Sequence, residues 1–111
     1  MAQDQASAKI RTLNDTFRKT GRGGRIMLTQ GIQTLGQKAV AAIIANIRAF
    51  DQFNDGNDPY NEHDFGKVVH GKETVLFKID YYDRAMECHS PDPADPAVTT
   101  RVMTVMLGEE Y

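Results

Sequence analysis

Apolar positions recur at helical spacing near the start of the chain. Ile10, Leu13 and Phe17 form one stripe with a period of about 3.6 residues, which predicts a first helix over residues 7–19. Gly21 follows this segment and can adopt the left-handed backbone conformation that ends many helices. The pattern therefore predicts an amphipathic helix with a glycine cap.

A second helix is predicted over residues 37–53. This run, QKAVAAIIANIRAFDQF, contains neither Gly nor Pro and carries apolar residues on one broad face. The Asn, Asp, Gly and Pro residues that follow cannot continue it. Between the two helices the short segment RIMLT is typical of a strand, and Gly31 with TLGQ indicates a turn before the second helix.

Two runs rich in β-formers on either side of residues 70–73 predict a hairpin. Gly71 occupies the first central position, where a type II′ turn requires positive φ. In this register Val68 lies opposite Val75 and Gly66 opposite Phe77. Side chains then alternate along the second strand, so that one face carries Val75, Phe77, Ile79 and Tyr81 and the other carries Leu76, Lys78, Asp80 and Tyr82.

The C-terminal third is predicted to hold one more strand and one more helix. RAMECH, residues 84–89, is expected to pair with the hairpin, and the proline-rich SPDPADP is a rigid connector. Asp95 followed by Pro96 is a favourable helix start. The last helix would turn its apolar residues toward the core, namely Val98, Val102, Val105 and Met106.

The predicted order of elements is α-β-α-β-β-β-α. It indicates an α+β fold in which three helices pack on a small, mostly antiparallel sheet of three to four strands. The chain of 111 residues has the length of a single domain. Residues 1–6 precede the first apolar stripe and are expected to be flexible.

Composition favours a cytoplasmic protein. With 41% hydrophobic and 25% charged residues the chain resembles a soluble globular domain. No apolar run approaches the roughly 20 residues of a membrane span, and the N-terminus lacks the apolar core of a signal peptide. The single cysteine, Cys88, cannot form an internal disulfide, which fits a reducing compartment; we expect it to be half-buried in a strand.

Charge is separated along the chain. Residues 1–50 hold eight basic and two acidic side chains, whereas residues 51–111 hold five basic and thirteen acidic ones, so the halves carry +6 and −8. Such separation suggests self-association or a polyanion-binding patch. The simpler interpretation is that the two halves neutralise each other within the fold.

The segment NDGNDPYNEHDFG, residues 54–66, gathers the residue types of catalytic and metal sites. Asn and Asp also bond their own backbone in turns, and Gly56 can supply positive φ, so a hydrogen-bonded turn is the main interpretation. Strand alternation would point His63 away from its neighbours. The alternatives are substrate binding, acid/base chemistry, or a metal site built from Glu62, His63, Asp64 and Asp80.

Two further clusters are polar. On the less buried face of the hairpin, Lys78, Asp80 and Tyr82 form a row suited to a partner's main chain or simply to solvent. In RKTGRGGR, four basic residues could grip phosphate and make nucleic-acid binding a minority hypothesis: Arg18, Lys19, Arg22 and Arg25. No nucleophile elbow, zinc spacing or dinucleotide fingerprint occurs, so no catalytic residue and no cofactor is assigned.

Four segments resemble an uncharacterised bacterial family, domain of unknown function 3768: NDTFR, RAFDQFNDGNDPYNEHDFG, FKIDYYDR and SPDPADPAVTTRVMTVMLGEEY. The resemblance implies a small bacterial protein often encoded on plasmids, integrated elements or phages of proteobacteria. It implies no known reaction and no catalytic residue. The positions in the two polar clusters that match are Asn57, Asp58, Pro59, Tyr60, Glu62, His63, Asp64, Lys78, Asp80, Tyr81, Tyr82 and Asp83.

These features favour a non-enzymatic interaction protein of a mobile element. It would bind and block a host factor, as antirestriction or anti-CRISPR proteins do, its acidic half occupying a basic surface; a homodimer is compatible with the charge pattern. Two alternatives stay open: a small metal-dependent or acid/base enzyme using Glu62, Asp64 and Asp80, and nucleic-acid binding by the basic half. The residues expected to bind the protein partner are Asp55, Asp58, Tyr60, Glu62, Asp64, Lys78, Asp80, Tyr82 and Asp83.

Overall fold

The computed structural model describes residues 2–111, with side chains described from Gln5 onward. In chain order the elements are helix α1 (Ala2–Thr20), strand β1 (Gly24–Leu28), helices α2 (Gln30–Thr34) and α3 (Gln37–Ala49), strands β2 (Phe65–His70), β3 (Glu73–Tyr82) and β4 (Thr100–Leu107). Single 3₁₀ turns cover Pro96–Val98 and Gly108–Glu110.

The four strands form one mixed, open sheet in the order β1-β4-β3-β2. β4 runs parallel to β1 and antiparallel to β3, and β3 runs antiparallel to β2. The α+β class, with three helices and a mostly antiparallel sheet, is confirmed.

Helix α1 begins before the predicted start at residue 7. The expected flexibility of residues 1–6 stays a prediction, and Met1 lies outside the described residues.

The helices pack on one face of the sheet and form the core with it. Phe17 of α1 and Ile43 and Ile47 of α3 are fully buried in one cluster with Val75 and Phe77 of β3. Burying each such side chain contributes roughly 2 kcal/mol. The opposite face of the sheet, called the open face below, carries the alternate residues of each strand.

The predicted hairpin register is confirmed. Val68 pairs with Val75 and Gly66 with Phe77. Gly71 has φ of +59° while Lys72 keeps a negative φ, which is the pattern of a type II′ turn. Along β3, buried residues alternate with half-exposed ones, so the two faces are those that the period of two predicts.

The ends of the two long helices follow local signals. Gly21 adopts φ of +77° and its N–H donates to the Phe17 carbonyl at 2.7 Å, which confirms the predicted glycine cap. Helix α3 ends at Ala49, before the predicted end at residue 53, because Phe50 takes an extended conformation. The short α2 was not predicted as a helix; Thr29 caps its first turn.

The prediction of a C-terminal helix is wrong, because residues 100–107 form β4. Asp95 does cap a turn, accepting from the Ala97 N–H at 2.9 Å, but that turn covers only Pro96–Val98. β4 lies between β1 and β3, and side chains on both of its faces are buried. A strand that is apolar on both faces lacks alternation, so its spacing imitates a helix.

The predicted strand at residues 84–89 is also wrong. Only His89 bridges to the sheet, opposite Tyr82. The preceding residues form a turn in which the Asp83 carboxylate accepts from the Glu87 N–H at 2.9 Å, and Met86 has φ of +61°. Cys88 is exposed in this turn, not half-buried in a strand.

Candidate functional site

The first half of the loop between α3 and β2 is held by its own side chains. The Asn54 side-chain oxygen accepts from the Gly56 N–H at 2.9 Å and the Asn57 N–H at 3.1 Å. In return, the Asn57 side-chain oxygen accepts from the Asn54 N–H at 2.9 Å. These are the turn bonds expected of Asn and Asp. Gly56 is not the residue with positive φ; Asn61 and His63 are, at +57° and +56°.

Asp58 organises the second half of the loop. It is only 5% exposed, and its Oδ1 accepts from the backbone N–H groups of Glu62 and His63 at 2.9 and 3.1 Å. A buried carboxylate is stabilised by such bonds. Asp58 is therefore engaged within the loop, and its carboxylate is not presented to a partner.

His63 lies between two carboxylates. Its Nδ1 is 2.8 Å from Asp15 Oδ1 and its Nε2 is 3.6 Å from Asp58 Oδ2, while its ring stacks on Phe53 with centroids 3.9 Å apart. Although partial burial raises the pKa of Asp15, its hydrogen bonds with Arg18 and His63 bring that pKa below the ordinary value. Both imidazole nitrogens thus face the protein's own carboxylates.

Arg18 fastens α1 to the end of α3. Its guanidinium is 2% exposed, donates to Asp15 at 2.8 Å and to the Phe50 carbonyl at 3.2 Å, and lies 5.1 Å from the Phe53 ring centroid. Of the four basic residues proposed for phosphate binding, Arg18 is therefore not available to a ligand, because its guanidinium is buried and binds Asp15 and the Phe50 carbonyl. The other three, Lys19, Arg22 and Arg25, are exposed.

A buried polar network joins α1, the loop and two strands. Asn14 donates from Nδ2 to the Tyr81 hydroxyl at 2.8 Å and to the Glu62 carbonyl at 3.0 Å, and accepts from Arg101 Nε at 2.9 Å. The Tyr81 hydroxyl donates in turn to Glu62 Oε1 at 2.8 Å. Arg101 also donates to the Pro93 carbonyl. The Glu62 carboxylate is thus turned inward.

Burial shifts the ionisation of two members of this network. Desolvation raises the pKa of Tyr81, and the nearby Glu62 carboxylate raises it further, so the hydroxyl remains a donor. Desolvation also lowers the pKa of Arg101, whose guanidinium lies 5.3 Å from the Tyr81 ring centroid. The raised pKa of Tyr81 therefore keeps the bond from its hydroxyl to Glu62 in place at neutral pH.

Asp64 and Asp80 both line a shallow cavity of about 340 Å³ near the end of β3. Its lining residues are Asp64, Ile79, Asp80, Tyr81, Tyr82 and His89. Burial raises the pKa of Asp64, and the neighbouring carboxylates, Glu62 foremost, raise it further. The pKa moves from 3.8 to about 6. Over the part of the chain that the structure describes, no basic side chain forms an ion pair with Asp64. Asp80 is paired with Lys78 at 3.3 Å.

The residues predicted to bind a partner are thus divided among four places. Asp64, Asp80 and Tyr82 come together at the cavity, with Lys78 next to them. Asp58 and Glu62 are engaged inside the fold, and Asp83 caps the turn after β3. Asp55 and Tyr60 are exposed on the loop. Within residues 5–111, no three His, Cys, Asp or Glu side chains are placed to hold a metal ion.

Three residues that fasten the site were not singled out from the sequence: Asn14, Asp15 and Arg101. For Asn14 and Arg101 the signal is a polar residue at an apolar position. Asn14 lies on the stripe between Ile10 and Phe17, and Arg101 interrupts the apolar run of β4. Such residues are buried only when they find hydrogen-bond partners, so each marks a network.

The open face mixes apolar and charged side chains. Met27 of β1 and Val69 of β2 are 55% and 59% exposed, and the Phe65 ring meets that of Tyr111 at 5.9 Å. Lys78, Asp80 and Tyr82 of β3 lie between these apolar groups and are half-exposed.

No helix among those described is sufficiently long and apolar to cross a lipid bilayer.

Taken together, these features define a small α+β domain with one open sheet face and a polar loop fastened to its first helix. The chain belongs to the family described as "Protein of unknown function (DUF3768)", which matches residues 28–110. The match spans α2, α3, the hairpin and β4, whereas Asn14, Asp15 and Arg18 lie before it. No curated protein and no solved structure matches the chain.

Proposed function

We propose that this protein acts by binding a protein partner that presents a basic surface to Asp64, Asp80 and Tyr82. The supporting observation is the unpaired, half-buried carboxylate of Asp64, which shares a cavity with Asp80. Its other close charges, Glu62 and Asp58, are also acidic. A guanidinium or ammonium group from a partner would relieve this repulsion, and Tyr82 would supply an aromatic contact.

The distribution of charge along the chain supports a partner with a basic surface. Arg18 pairs with Asp15 in the basic half and Lys78 with Asp80 in the acidic half; among the described side chains no Lys or Arg ion pair joins the two halves. The simpler interpretation, that the two halves neutralise each other within the fold, stays a prediction. The acidic C-terminal half would attract basic partners at a distance.

Binding is favoured over acid/base catalysis by the hydrogen bonds of the loop. Both nitrogens of His63 face Asp15 and Asp58, and the Glu62 carboxylate accepts from Tyr81. These groups hold each other, so a substrate would have to break an internal contact to reach any of them.

We further propose that the protein is cytoplasmic and is encoded by a bacterial plasmid or phage. Its partner would be a host factor with a basic, nucleic-acid-binding surface, such as a component of a defence system. Small size, the acidic half and the resemblance described above support this setting. A homodimer that presents two such surfaces is compatible with it.

The proposal is tested by affinity capture from bacterial lysate with matched variants. The wild-type chain should capture a basic protein that the double variant Asp64→Asn/Asp80→Asn captures at least tenfold less, because the variant loses two charges without loss of volume. The double variant Glu73→Gln/Glu109→Gln, at the other end of the sheet, also loses two charges and is the control for net charge. Equal capture by the wild type and the double variant at low salt would contradict the proposal.

A further inference from the structure

Strand β2 forms one edge of the sheet, and its outer side is uncovered. In the β2–β3 ladder the Ile79 N–H donates to the Asp64 carbonyl at 2.8 Å, which makes that pair a hydrogen-bonded one. Pairs alternate in an antiparallel ladder, so Phe65, Lys67 and Val69 direct their N–H and C=O groups away from β3. Across the described residues, these groups have no other hydrogen-bond partner.

The side chains of the same three residues lie on the open face. Phe65 is half-buried, Lys67 is exposed, and Val69 is 59% exposed. An exposed edge is a template for another strand, and a lysine on it disfavours every strand that does not place an acidic residue opposite. Here an apolar, a basic and a second apolar side chain follow one another along an unpaired edge.

We infer that β2 binds an extended segment of the partner as a fifth strand, with a carboxylate of that segment opposite Lys67. Apolar side chains two residues to either side would then lie opposite Phe65 and Val69, which is recognition by strand addition. The occupant is the partner of the proposed function, so this inference rests on that function while naming a separate contact for it.

Charge decides against a second copy of the chain as the occupant. Antiparallel pairing of β2 with its own copy uses all three free residues only in the register that places Lys67 opposite the copy's Lys67. Like charges directly opposite each other destabilise a sheet. Shifting the register by two residues removes that clash but leaves part of the edge unpaired. A segment with an acidic centre has neither defect.

The probe is the peptide Thr-Val-Thr-Glu-Thr-Val-Thr, titrated into ¹⁵N-labelled full-length protein. We expect the amides of Phe65, Lys67 and Val69 to move downfield, while those of Gly66 and Val68, which already bond β3, move less. A matched peptide with Lys in place of Glu should bind about fivefold more weakly. The glutamate peptide N-methylated at its Glu and two Val residues should not bind, because it cannot donate to the edge.

The variant Lys67→Glu should reverse the preference between the two peptides, whereas Lys72→Glu, the same charge change in the exposed turn, should preserve it. The peptides contain no group that needs the acidic cluster, so Asp80→Asn should leave their binding unchanged. Failure of strand addition is in this way distinguishable from failure of the proposed function.

Three outcomes would overturn the inference. One is an unmethylated glutamate peptide that shifts none of the three edge amides. Another is a peptide preference that Lys67→Glu does not reverse. The third is a dimer of the free protein in which the amides of Phe65, Lys67 and Val69 are already protected from hydrogen exchange, since the occupant would then be a second copy.

Discussion

At the scale of single residues, the fold depends on polar side chains placed inside it. Asn14 uses its amide to bind Tyr81, the Glu62 carbonyl and Arg101. Replacing it would leave the Glu62 carbonyl and Arg101 Nε without a partner, whereas the Tyr81 hydroxyl would keep its bond to Glu62 Oε1. Each such group costs about 1–3 kcal/mol when unsatisfied. The NDTFR segment is therefore an anchor for the loop, through Asn14, Asp15 and Arg18.

Asp64 is the residue whose charge opposes folding. Its pKa is raised from 3.8 to about 6, so the folded protein binds more protons than the unfolded chain between these values, and stability falls as the pH rises through that window. Asp64→Asn should raise the free energy of unfolding at pH 7 by about 1 kcal/mol, a value discounted for solvent screening of this partly exposed group.

Urea denaturation of the wild type and Asp64→Asn at pH 4, 5, 6 and 7 measures this effect. The increase in the free energy of unfolding should be small at pH 4 and complete by pH 7. Glu109→Gln, an exposed carboxylate with the same charge change, should stay within about 0.5 kcal/mol throughout. A gain of equal size at pH 4 and pH 7 would show that it does not come from ionisation of Asp64.

At the scale of elements, close packing decides where strands and helices can approach. Gly66 of β2 lies opposite Phe77, and a Cβ at this position would collide with that ring and lie 2.9 Å from Phe50 Cε1. Phe50 and Phe77 meet edge to face at 5.3 Å. The absence of a side chain at Gly66 thus lets the end of α3 pack on the hairpin.

Gly66→Ala should therefore reduce the free energy of unfolding by about 2 kcal/mol through overpacking. Thermal or urea denaturation measures the loss. In a Phe77→Leu background, where the smaller side chain leaves room for the new methyl group, the same substitution should cost markedly less. An unchanged cost in that background would mean that the ring of Phe77 is not the cause.

At the scale of the whole molecule, α1 joins parts that are distant in sequence. It contributes Ile10 and Phe17 to the core and binds the loop and β4 through its polar side chains. The family match begins after this helix, at residue 28. The matched segment alone would expose the inner face of the sheet where α1 packs.

A chain that begins at Gly21 should consequently lack a cooperative unfolding transition, because it loses the buried Phe17 and every hydrogen bond of Asn14. Circular dichroism in a urea series measures this. A chain that begins at Ser7 is the control: it keeps both residues, and its midpoint should change little. Cooperative unfolding of the chain without α1 would contradict the role assigned to that helix.

Local patterns were enough for the hairpin, the cap at Gly21 and the turn chemistry of residues 54–58, because each depends on neighbours a few residues away. They were not enough for residues 100–107. β-branched residues there fit a strand, but Val98, Val102 and Val105 also fit a helix. Only pairing with β1 on one side and β3 on the other decides between them.

The sequence by itself determined the α+β class, because helical stripes and a hairpin pattern occur in the same short chain. It also determined the register of β2 and β3 and the faces of their side chains, because a period of two and one glycine specify them locally. The tertiary structure alone decided which polar residues are free. Asp64 and Asp80 line one cavity, whereas Glu62 and Arg18 bind Tyr81 and Phe50, which lie far along the chain. Such contacts depend on how helices and sheet meet, and residue type alone does not reveal that.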